Sequence, residues 1–242
     1  MIGLVLAAGA GRRLRPFTDD LPKALVPIGG GMTVLESTLR NFADVGLTDA
    51  VVVVGYCADA IERRVDELHA TTGVALHLVH NDHAEDRNNA YSLWCARDWL
   101  GHDVLLANGD TLHPASVEET LLAAGREHIT LALDAVKVLG DEEMKVRVGA
   151  SGAVDAISKL LPWDVSGEYI GVCALPAAHG EALIDALERT WLADEQRYYE
   201  DAFQLLADEG HRIDVAPIGD VAWVEIDNHA DLARAEGIAC RS

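Results

Sequence analysis

Glycines and cations near the start of the chain are the part of the sequence best suited to chemistry. The segment LVLAAGAGRRLRPFTDDLPKALVPIGG covers residues 4–30, and Gly9 and Gly11 follow its short apolar run. Arg13 comes next, and Lys23 arrives later, directly after a proline. Glycine-rich turns expose backbone N–H groups, and guanidinium and ammonium groups complement phosphate charge. The segment therefore predicts a site for a triphosphate.

Two familiar glycine-rich loops do not fit this segment. A dinucleotide-binding loop needs GxGxxG, with an acidic residue at the end of the second strand. Here Leu14 stands at the third glycine position, Pro16 and Pro22 follow, and Asp59 comes too late after the second apolar run. The P-loop pattern GxxxxGK[ST] is also missing. Both kinds of site are therefore excluded.

The elements that must position this loop alternate between apolar runs and amphipathic segments. Near-continuous apolar strands that alternate with helices indicate a parallel sheet covered on both faces. Ligands of such sheets bind beyond the carboxyl ends of the strands, where residues 9–23, 81–92 and 108–111 would converge. The predicted strands are Ile2–Ala8, Ala50–Gly55, Ala75–Val79, Asp103–Ala107 and Ile129–Val136, and the predicted helices are Thr33–Val45, Asp59–Ala70, Asn89–Leu100 and Ser116–Ala124.

The pattern changes after residue 136, where short strands and turns suggest a small antiparallel addition over the crevice. We predict one domain over 1–242, with a nucleotide-binding half (about 1–135) and an acceptor-binding half (about 136–242). The fold class is α/β, a Rossmann-like, mostly parallel mixed sheet with helices on both faces. The elements predicted here are the strands Met144–Val148, Val154–Lys159, Tyr169–Ala174, Arg212–Ala216 and Ala222–Glu225, and the helices Ala177–Leu192, Tyr198–Glu209 and Ala230–Ile238.

Composition restricts the partners. The net charge of −21 argues against nucleic-acid binding, which needs a positive field. Neither a signal peptide nor a membrane span is recognisable, so we expect a cytoplasmic protein with no membrane partner. The four cysteines are widely spaced, which predicts free thiols rather than a zinc site: Cys57, Cys95, Cys173 and Cys240. The sequence leaves a monomer and a homodimer open.

The segment LAAGAGRRLRPFTDDLPKALVPIGG, residues 6–30, resembles the signature of nucleotidyltransferases that activate sugar phosphates, the MobA-like NTP transferases. Every fixed position of LAAGxGxRLxPxTxxxPKxLxPxxG is filled. The resemblance implies that a substrate phosphate attacks the α-phosphorus of an NTP and that pyrophosphate leaves. In such transfers the protein mainly aligns groups and neutralises charge.

The resemblance also implies roles for individual residues. Arg13 and Lys23 would be catalytic together with Asp110, with Arg13 at the β- and γ-phosphates and Lys23 between the α-phosphate and the acceptor. Asp110 in LLANGDT and Asp227 in WVEIDNHADL would hold Mg²⁺, which prefers carboxylates and water. Alternatively, Asp110 caps a turn and Asp227 caps the last helix. The nucleotide would contact Leu6, Ala7, Ala8, Gly9, Ala10, Gly11, Arg12, Arg13 and Gly109.

The choice of nucleotide depends on the segment NNAYSLW, residues 88–94. It resembles bacterial CTP:phosphocholine cytidylyltransferases and their relatives that act on alkylphosphonates, and it departs from sugar-phosphate members. Asn81, Asn89 and Ser92 would accordingly contact the nucleoside of CTP. Alternatively, Asn89 and its neighbour cap a helix, and Tyr91 and Trp94 belong to the core.

The second half would bind the acceptor. Lys145 in DEEMKVRV could meet the acceptor phosphate, and aromatic rings with carboxylates would suit a cationic head group. The residues expected there, besides Lys23, are Lys145, Glu168, Tyr198, Glu200, Trp223 and Glu225. We predict a Mg²⁺-dependent cytidylyltransferase for a small phosphate or phosphonate acceptor of the phosphocholine, aminoalkyl- or hydroxyalkylphosphonate type. The alternatives are a hexose-1-phosphate nucleotidyltransferase using UTP or dTTP, and a catalytically silent nucleotide sensor.

Overall fold

The secondary structure follows the predicted alternation closely. The computed structural model describes residues 1–162 and 164–239. Its strands are β1 Ile2–Leu6, β2 Asp49–Val54, β3 Ala75–His80, β4 Val104–Asn108, β5 Thr111–Leu112, β6 Ile129–Asp134, β7 Lys145–Val148, β8 Val154–Ser158, β9 Gly167–Leu175, β10 Ile213–Pro217 and β11 Val224–Glu225. Its α-helices are α1 Val34–Asp44, α2 Ala58–Glu62, α3 Val65–Thr72, α4 Asn89–Cys95, α5 Ser116–Ala124, α6 Gly180–Ala193, α7 Tyr199–Asp208 and α8 His229–Ala239.

Nine strands form one mixed sheet in which β10, β6, β9, β4, β1, β2 and β3 lie side by side in that order. β1 pairs in parallel with β2 and β4, β2 with β3, and β6 with β10. β7 and β8 form an antiparallel extension on β9. This is the expected mostly parallel, Rossmann-like mixed α/β sheet.

The position of β9 differs from the prediction. We expected residues 169–174 to belong to the added antiparallel region, whereas β9 lies inside the main sheet, antiparallel to both β4 and β6. All nine residues of β9 are buried. A strand that is buried along its whole length belongs inside a sheet covered on both faces rather than at its edge. Strands from both predicted halves therefore share one sheet.

Helices cover both faces of the sheet. One apolar core lies between the sheet and α4, α6 and α7, and includes Leu4, Leu106 and Phe203. The opposite core includes Phe42 from α1 and Leu121 from α5. The amphipathic helices thus bury their apolar stripes on a sheet whose central strands are buried on both sides.

A third, smaller apolar cluster anchors the glycine-rich segment. Leu14, Val26 and Ile28 pack there against Val224 and Leu232. Leu14 is fully buried, and burying a leucine side chain contributes roughly 1.5–3 kcal/mol. The segment between β1 and α1 is therefore fixed against β11 and α8 even though it contains little regular structure.

The structure bears on two further sequence predictions, which concern a membrane span and the cysteines. Among the described residues, no helix is both long and apolar enough to cross a membrane. Cys57, Cys95 and Cys173 are free thiols, and Cys240 lies outside the described residues.

Candidate active site

A cleft of about 270 Å³ opens at the edge of the sheet where β1 and β4 end and β9 begins. Leu6 is the last residue of β1, Asn108 is the last residue of β4, and both line the cleft. Gly171 of β9 lines it as well. The carboxyl ends of parallel strands are where such sheets bind ligands, so the cleft is the candidate active site.

Two glycines allow close packing around the glycine-rich loop, Gly11 within the loop and Gly109 directly after β4. Gly11 has φ 56°, and a Cβ atom there would lie 3.0 Å from Cβ of Lys23. Gly109 packs even closer, since a Cβ atom would lie 2.5 Å from the carbonyl oxygen of Leu6. Gly11 thus combines a left-handed backbone with close packing, and Gly109 lets the ends of β1 and β4 approach.

Lys23 lies at the centre of the ionic groups of the cleft. Its Nζ donates to Asp110 Oδ2 at 2.8 Å and to Asp227 Oδ1 at 2.6 Å. Arg13 Nη2 lies 2.9 Å from the other oxygen of Asp227. Four charged residues predicted from three distant segments therefore meet at one point.

These contacts change the pKa values of the participating groups. Burial lowers the pKa of the Lys23 ammonium, but Asp110 and Asp227 outweigh that effect, and the net pKa is raised. Burial likewise tends to raise the pKa of Asp227, whereas Lys23 and Arg13 lower it, and the net direction is downward. Lys23 is therefore a fixed positive charge and Asp227 a fixed negative charge near neutral pH.

A two-stranded ladder brings the carboxylates together. β5 follows Asp110 directly and pairs antiparallel with β11, so that Thr111 faces Glu225. The N–H of Ile226 donates to the carbonyl oxygen of Asp110 at 2.9 Å. Asn228, rather than Asp227, caps α8, because its Oδ1 accepts the N–H groups of residues 230 and 231. The side chain of Asp227 therefore does not cap the helix and lines the cleft instead.

Asp110, Glu225 and Asp227 form a carboxylate cluster that fits a magnesium ion. Each offers an oxygen within 4.8 Å of the others, and Asp110 Oδ1 is buried without a hydrogen-bond partner among the described residues. Burial, followed by the nearby charges of Asp110 and Asp227, raises the pKa of Glu225 to about 8. Crowded carboxylate oxygens with one unpaired atom suit a hard cation.

The residues predicted to contact the nucleotide divide into two groups. Asn81 lies behind the cleft wall, where its Nδ2 donates to Ser92 Oγ at 2.9 Å. Those that line the cleft are Leu6, Ala8, Gly9, Arg13, Asn89 and Ser92. Those that do not line it are Ala7, Ala10, Gly11, Arg12, Asn81 and Gly109. Asn81 and Gly109 therefore support the wall, and Arg12 points to solvent.

Local contacts explain the asparagines and aromatic residues of the segment after β3. Asn88 caps α4 by accepting the N–H of Asn89, and Asn89 Oδ1 accepts the N–H of Tyr199. Tyr91 and Trp94 stack on each other at 5.5 Å between ring centroids. The capping and packing alternatives are thus observed, while Asn88 and Asn89 also line the cleft.

At the other end of the cleft, Tyr198, Glu200 and Glu225 lie where acceptor residues were predicted. Lys145 does not line this cleft. Its side chain is buried, and Nζ donates to the main-chain oxygens of Asp141 and Lys159. Lys159 lines the cleft instead, with Nζ 5.0 Å from the centre of the Tyr198 ring. Lys159, rather than Lys145, is therefore the lysine of this extension that borders the cleft.

Glu168 and Trp223 line a second cavity of about 780 Å³ next to the cleft. Lys137 Nζ lies 2.8 Å from Glu168 Oε2 and 4.9 Å from the centre of the Trp223 ring. Trp223 Nε1 donates to Asp134 Oδ2 at 2.7 Å. Glu168 thus pairs with Lys137 and Trp223 with Asp134, while Arg13, Glu225 and Asp227 border both spaces.

Comparison with known proteins identifies this arrangement. Residues 3–199 match the MobA-like NTP transferase domain. The chain belongs to this family. A relative from Streptomyces rubellomurinus, CMP-5'-(3-aminopropyl)phosphonate synthase, is 30% identical over 96% of this chain. Choline-phosphate cytidylyltransferase of Streptococcus pneumoniae is 35% identical over 44% of it. The chain spans 38% of the length of the synthase, and the alignment with the cytidylyltransferase covers 43% of that protein.

Solved structures share the fold of this MobA-like transferase. The inositol-1-phosphate CTP transferase from T. maritima superposes with a TM-score of 0.81 at 24% identity, over 98% of this chain and 95% of that one. The CTP:phosphocholine cytidylyltransferase from Streptococcus pneumoniae gives 0.74 at 23% identity, over 98% and 99%. These structures establish the Rossmann-like architecture of the transferase.

Sequence reasoning overlooked Asn108 and Tyr169, which line the cleft. Asn108, two residues before Asp110, accepts a hydrogen bond from the Tyr199 hydroxyl at 3.0 Å. The hydroxyl groups of Tyr199 and Tyr169 are 3.0 Å apart. A polar residue at the carboxyl end of an apolar strand was a usable signal for Asn108, but Tyr169 had none because it stands in the predicted strand at 169–174, whose other residues are apolar or glycine.

Proposed function

We propose that this protein transfers CMP from CTP to a small phosphate or phosphonate acceptor, with Mg²⁺ and with release of pyrophosphate. The position of the Lys23 ammonium between Asp110 and Asp227, with Arg13 beside them, carries this proposal. Nucleotidyl transfer needs positive charge at the reacting phosphates and at the departing pyrophosphate, and carboxylates for the metal. Lys23 and Arg13 would provide the two cations, and the two aspartates would provide the carboxylates.

In this reaction an acceptor oxygen forms a bond to the α-phosphorus, and the bond from that phosphorus to the bridging oxygen of the β-phosphate breaks. Lys23 holds the α-phosphate and the acceptor phosphate together and offsets their repulsion. Arg13 offsets charge on the departing pyrophosphate. Asp110 and Asp227, with Glu225 beside them, would hold Mg²⁺, which supplies further neutralisation of the phosphate charge.

The preference for CTP is supported by the segment at residues 88–94 and by the two cytidylyl-transferring relatives. Asn88, Asn89 and Ser92 place amide and hydroxyl groups along one wall of the cleft. Such groups can match the hydrogen-bonding edge of a pyrimidine.

For the acceptor we propose a compound that carries an ammonium group, such as an aminoalkylphosphonate or phosphocholine. Glu200 is 4% exposed, and its Oε2 has no hydrogen-bond partner among the described residues. A buried, unpaired carboxylate oxygen beside the Tyr198 ring favours a cationic partner. Lys159, on the same side of the cleft, would meet the phosphonate. The names of both cytidylyl-transferring relatives also include a cationic acceptor.

A hexose-1-phosphate uridylyltransferase is the second candidate. The UTP--glucose-1-phosphate uridylyltransferase of Haloferax volcanii is 29% identical over 66% of this chain. The acidic lining formed by Glu200 and Glu225 is less suited to a neutral sugar, because a buried carboxylate needs a compensating partner.

Pyrophosphate release from a matrix of CTP, UTP, dTTP, ATP and GTP against several acceptors tests the proposal. The acceptors are phosphocholine, 2-aminoethylphosphonate, 3-aminopropylphosphonate, 3-hydroxypropylphosphonate and glucose 1-phosphate. We expect turnover with CTP and an amino acceptor that stops in EDTA. A preference for UTP with glucose 1-phosphate would contradict the proposal and favour the second candidate.

A further inference from the structure

Arg87 lies in an aromatic cradle on the wall of the cleft. Its guanidinium carbon is 4.4 Å from the centre of the Tyr91 ring and 4.9 Å from that of Trp191. These two rings meet edge to face, 5.1 Å apart. The side chain is only 19% exposed, yet it lines the cleft. An arginine held against two rings is oriented before any ligand arrives.

The backbone around Arg87 is also held firmly. Asn88 donates its N–H to the carbonyl oxygen of Glu195 at 2.8 Å, and Gln196 donates its side-chain amide to the carbonyl oxygen of Asp86 at 2.6 Å. The loop that carries Arg87 is thereby tied to the turn between α6 and α7. The guanidinium consequently has a fixed position rather than a mobile one.

The charge of Arg87 is largely offset by Glu195. Nε donates to Glu195 Oε1 at 3.0 Å, while a guanidinium carries five N–H donors and no acceptor. Because Nε is the atom bonded to Glu195, the two terminal NH₂ groups are the donors that would meet a ligand. Because the net charge is offset, the group suits a neutral ring with adjacent acceptors better than a phosphate, for which Arg13 and Lys23 are available.

We propose that Arg87 reads the nucleobase and sets the preference for CTP over UTP. Cytosine presents adjacent acceptors, O2 and N3, to a donor fork, whereas N3 of uracil carries a hydrogen that opposes it. Asn88, Asn89 and Ser92 line the same wall and surround that position. This inference rests on the proposed function, since it assumes that the cleft binds a pyrimidine nucleotide.

Arg87→Gln and Arg87→Lys test this role, with Arg97→Gln as the matched control. Arg97 also stacks on an aromatic ring, with its guanidinium carbon 4.0 Å from the centre of Trp94, which itself stacks on Tyr91. Arg97 does not line the cleft. Loss of a hydrogen bond from a charged group is expected to lower kcat/KM by about 10- to 100-fold. We expect Arg87→Gln to lower kcat/KM for CTP by about that factor through KM, with kcat preserved.

The ratio of kcat/KM for CTP to that for UTP is the decisive measurement. It should fall toward one in Arg87→Gln, fall in Arg87→Lys because the fork is lost, and stay at the wild-type value in Arg97→Gln. An unchanged ratio in Arg87→Gln, or an equal loss with both nucleotides, would overturn the role of Arg87 alone. If the wild-type protein itself prefers UTP, the proposed function fails and this inference fails with it. Melting temperatures establish that the variants are folded.

Discussion

Replacing Lys23 with alanine is the most informative perturbation of this site. The ammonium is bonded to Asp110 and Asp227 at 2.8 and 2.6 Å, so its removal has two separable consequences. The transferred and accepting phosphates lose a shared counter-charge, and two carboxylates lose the cation between them.

The first consequence is kinetic. In the reaction, Lys23 would donate one charge-assisted hydrogen bond to each of the two phosphates. Such bonds are worth roughly 1.5–3 kcal/mol each, or about 3–6 kcal/mol together. If they act on the transition state, kcat/KM falls by roughly 10²- to 10⁴-fold. The loss should appear mainly in kcat and in KM for the acceptor, because Arg13 still binds the departing pyrophosphate.

The second consequence concerns stability. Removing one partner of a buried ion pair costs about 3–5 kcal/mol, and Asp110 and Asp227 are 24% and 26% exposed, so we expect about 1–3 kcal/mol. Mg²⁺ can take over the neutralisation of the carboxylates, and a ligand at 100 times its Kd stabilises by about 2.7 kcal/mol. Lys23→Ala should therefore melt lower than wild type in EDTA and regain most of the difference in Mg²⁺.

Pyrophosphate release and thermal melting, each with and without Mg²⁺, separate the two effects. Lys23→Arg is the companion variant, because it keeps the positive charge with a different shape. We expect it to retain stability in EDTA but to remain slow, since a planar guanidinium does not reproduce the compact ammonium that lies between Asp110 and Asp227. Turnover by Lys23→Ala within threefold of wild type would refute the assigned role of this ammonium.

Three further predictions concern neighbouring groups. Arg13→Ala should raise KM for CTP at least tenfold, and Arg12→Ala much less, in steady-state kinetics, because only Arg13 lines the cleft. Asp227→Asn should abolish the rise in melting temperature that Mg²⁺ gives the wild-type protein. Burial raises the pKa of Glu200 to about 7 from 4.5, so ionisation destabilises the free protein above pH 7 and the penalty disappears below pH 4.5. Glu200→Gln should therefore melt roughly 3–8 °C higher at pH 8 but not at pH 4.5, while KM for an amino acceptor rises; equal shifts at both pH values would contradict this.

The meeting of Arg13, Lys23 and Asp110 in one cleft could be predicted from sequence because each of them lies in or after a recognisable local feature. Arg13 and Lys23 belong to a dense signature, and Asp110 comes directly after a buried strand. Parallel strands deliver their carboxyl ends to one edge, so the topology alone brings these groups together. Glu225 was predicted to bind the acceptor, and only the pairing of β5 with β11 shows that it adjoins the two aspartates.

The acceptor end was less predictable because it depends on strand register and on which face a side chain takes. Lys145 pairs with Ser158, the last residue of β8, and successive side chains of a strand point to opposite faces. Lys145 thus points to main-chain oxygens while Lys159, just beyond the end of β8, reaches the cleft. Composition cannot distinguish two lysines of one hairpin. A shift of one residue in the pairing of β7 with β8 would accordingly replace the groups of this extension that face the cleft and would leave Lys23, Asp110 and Asp227 in place.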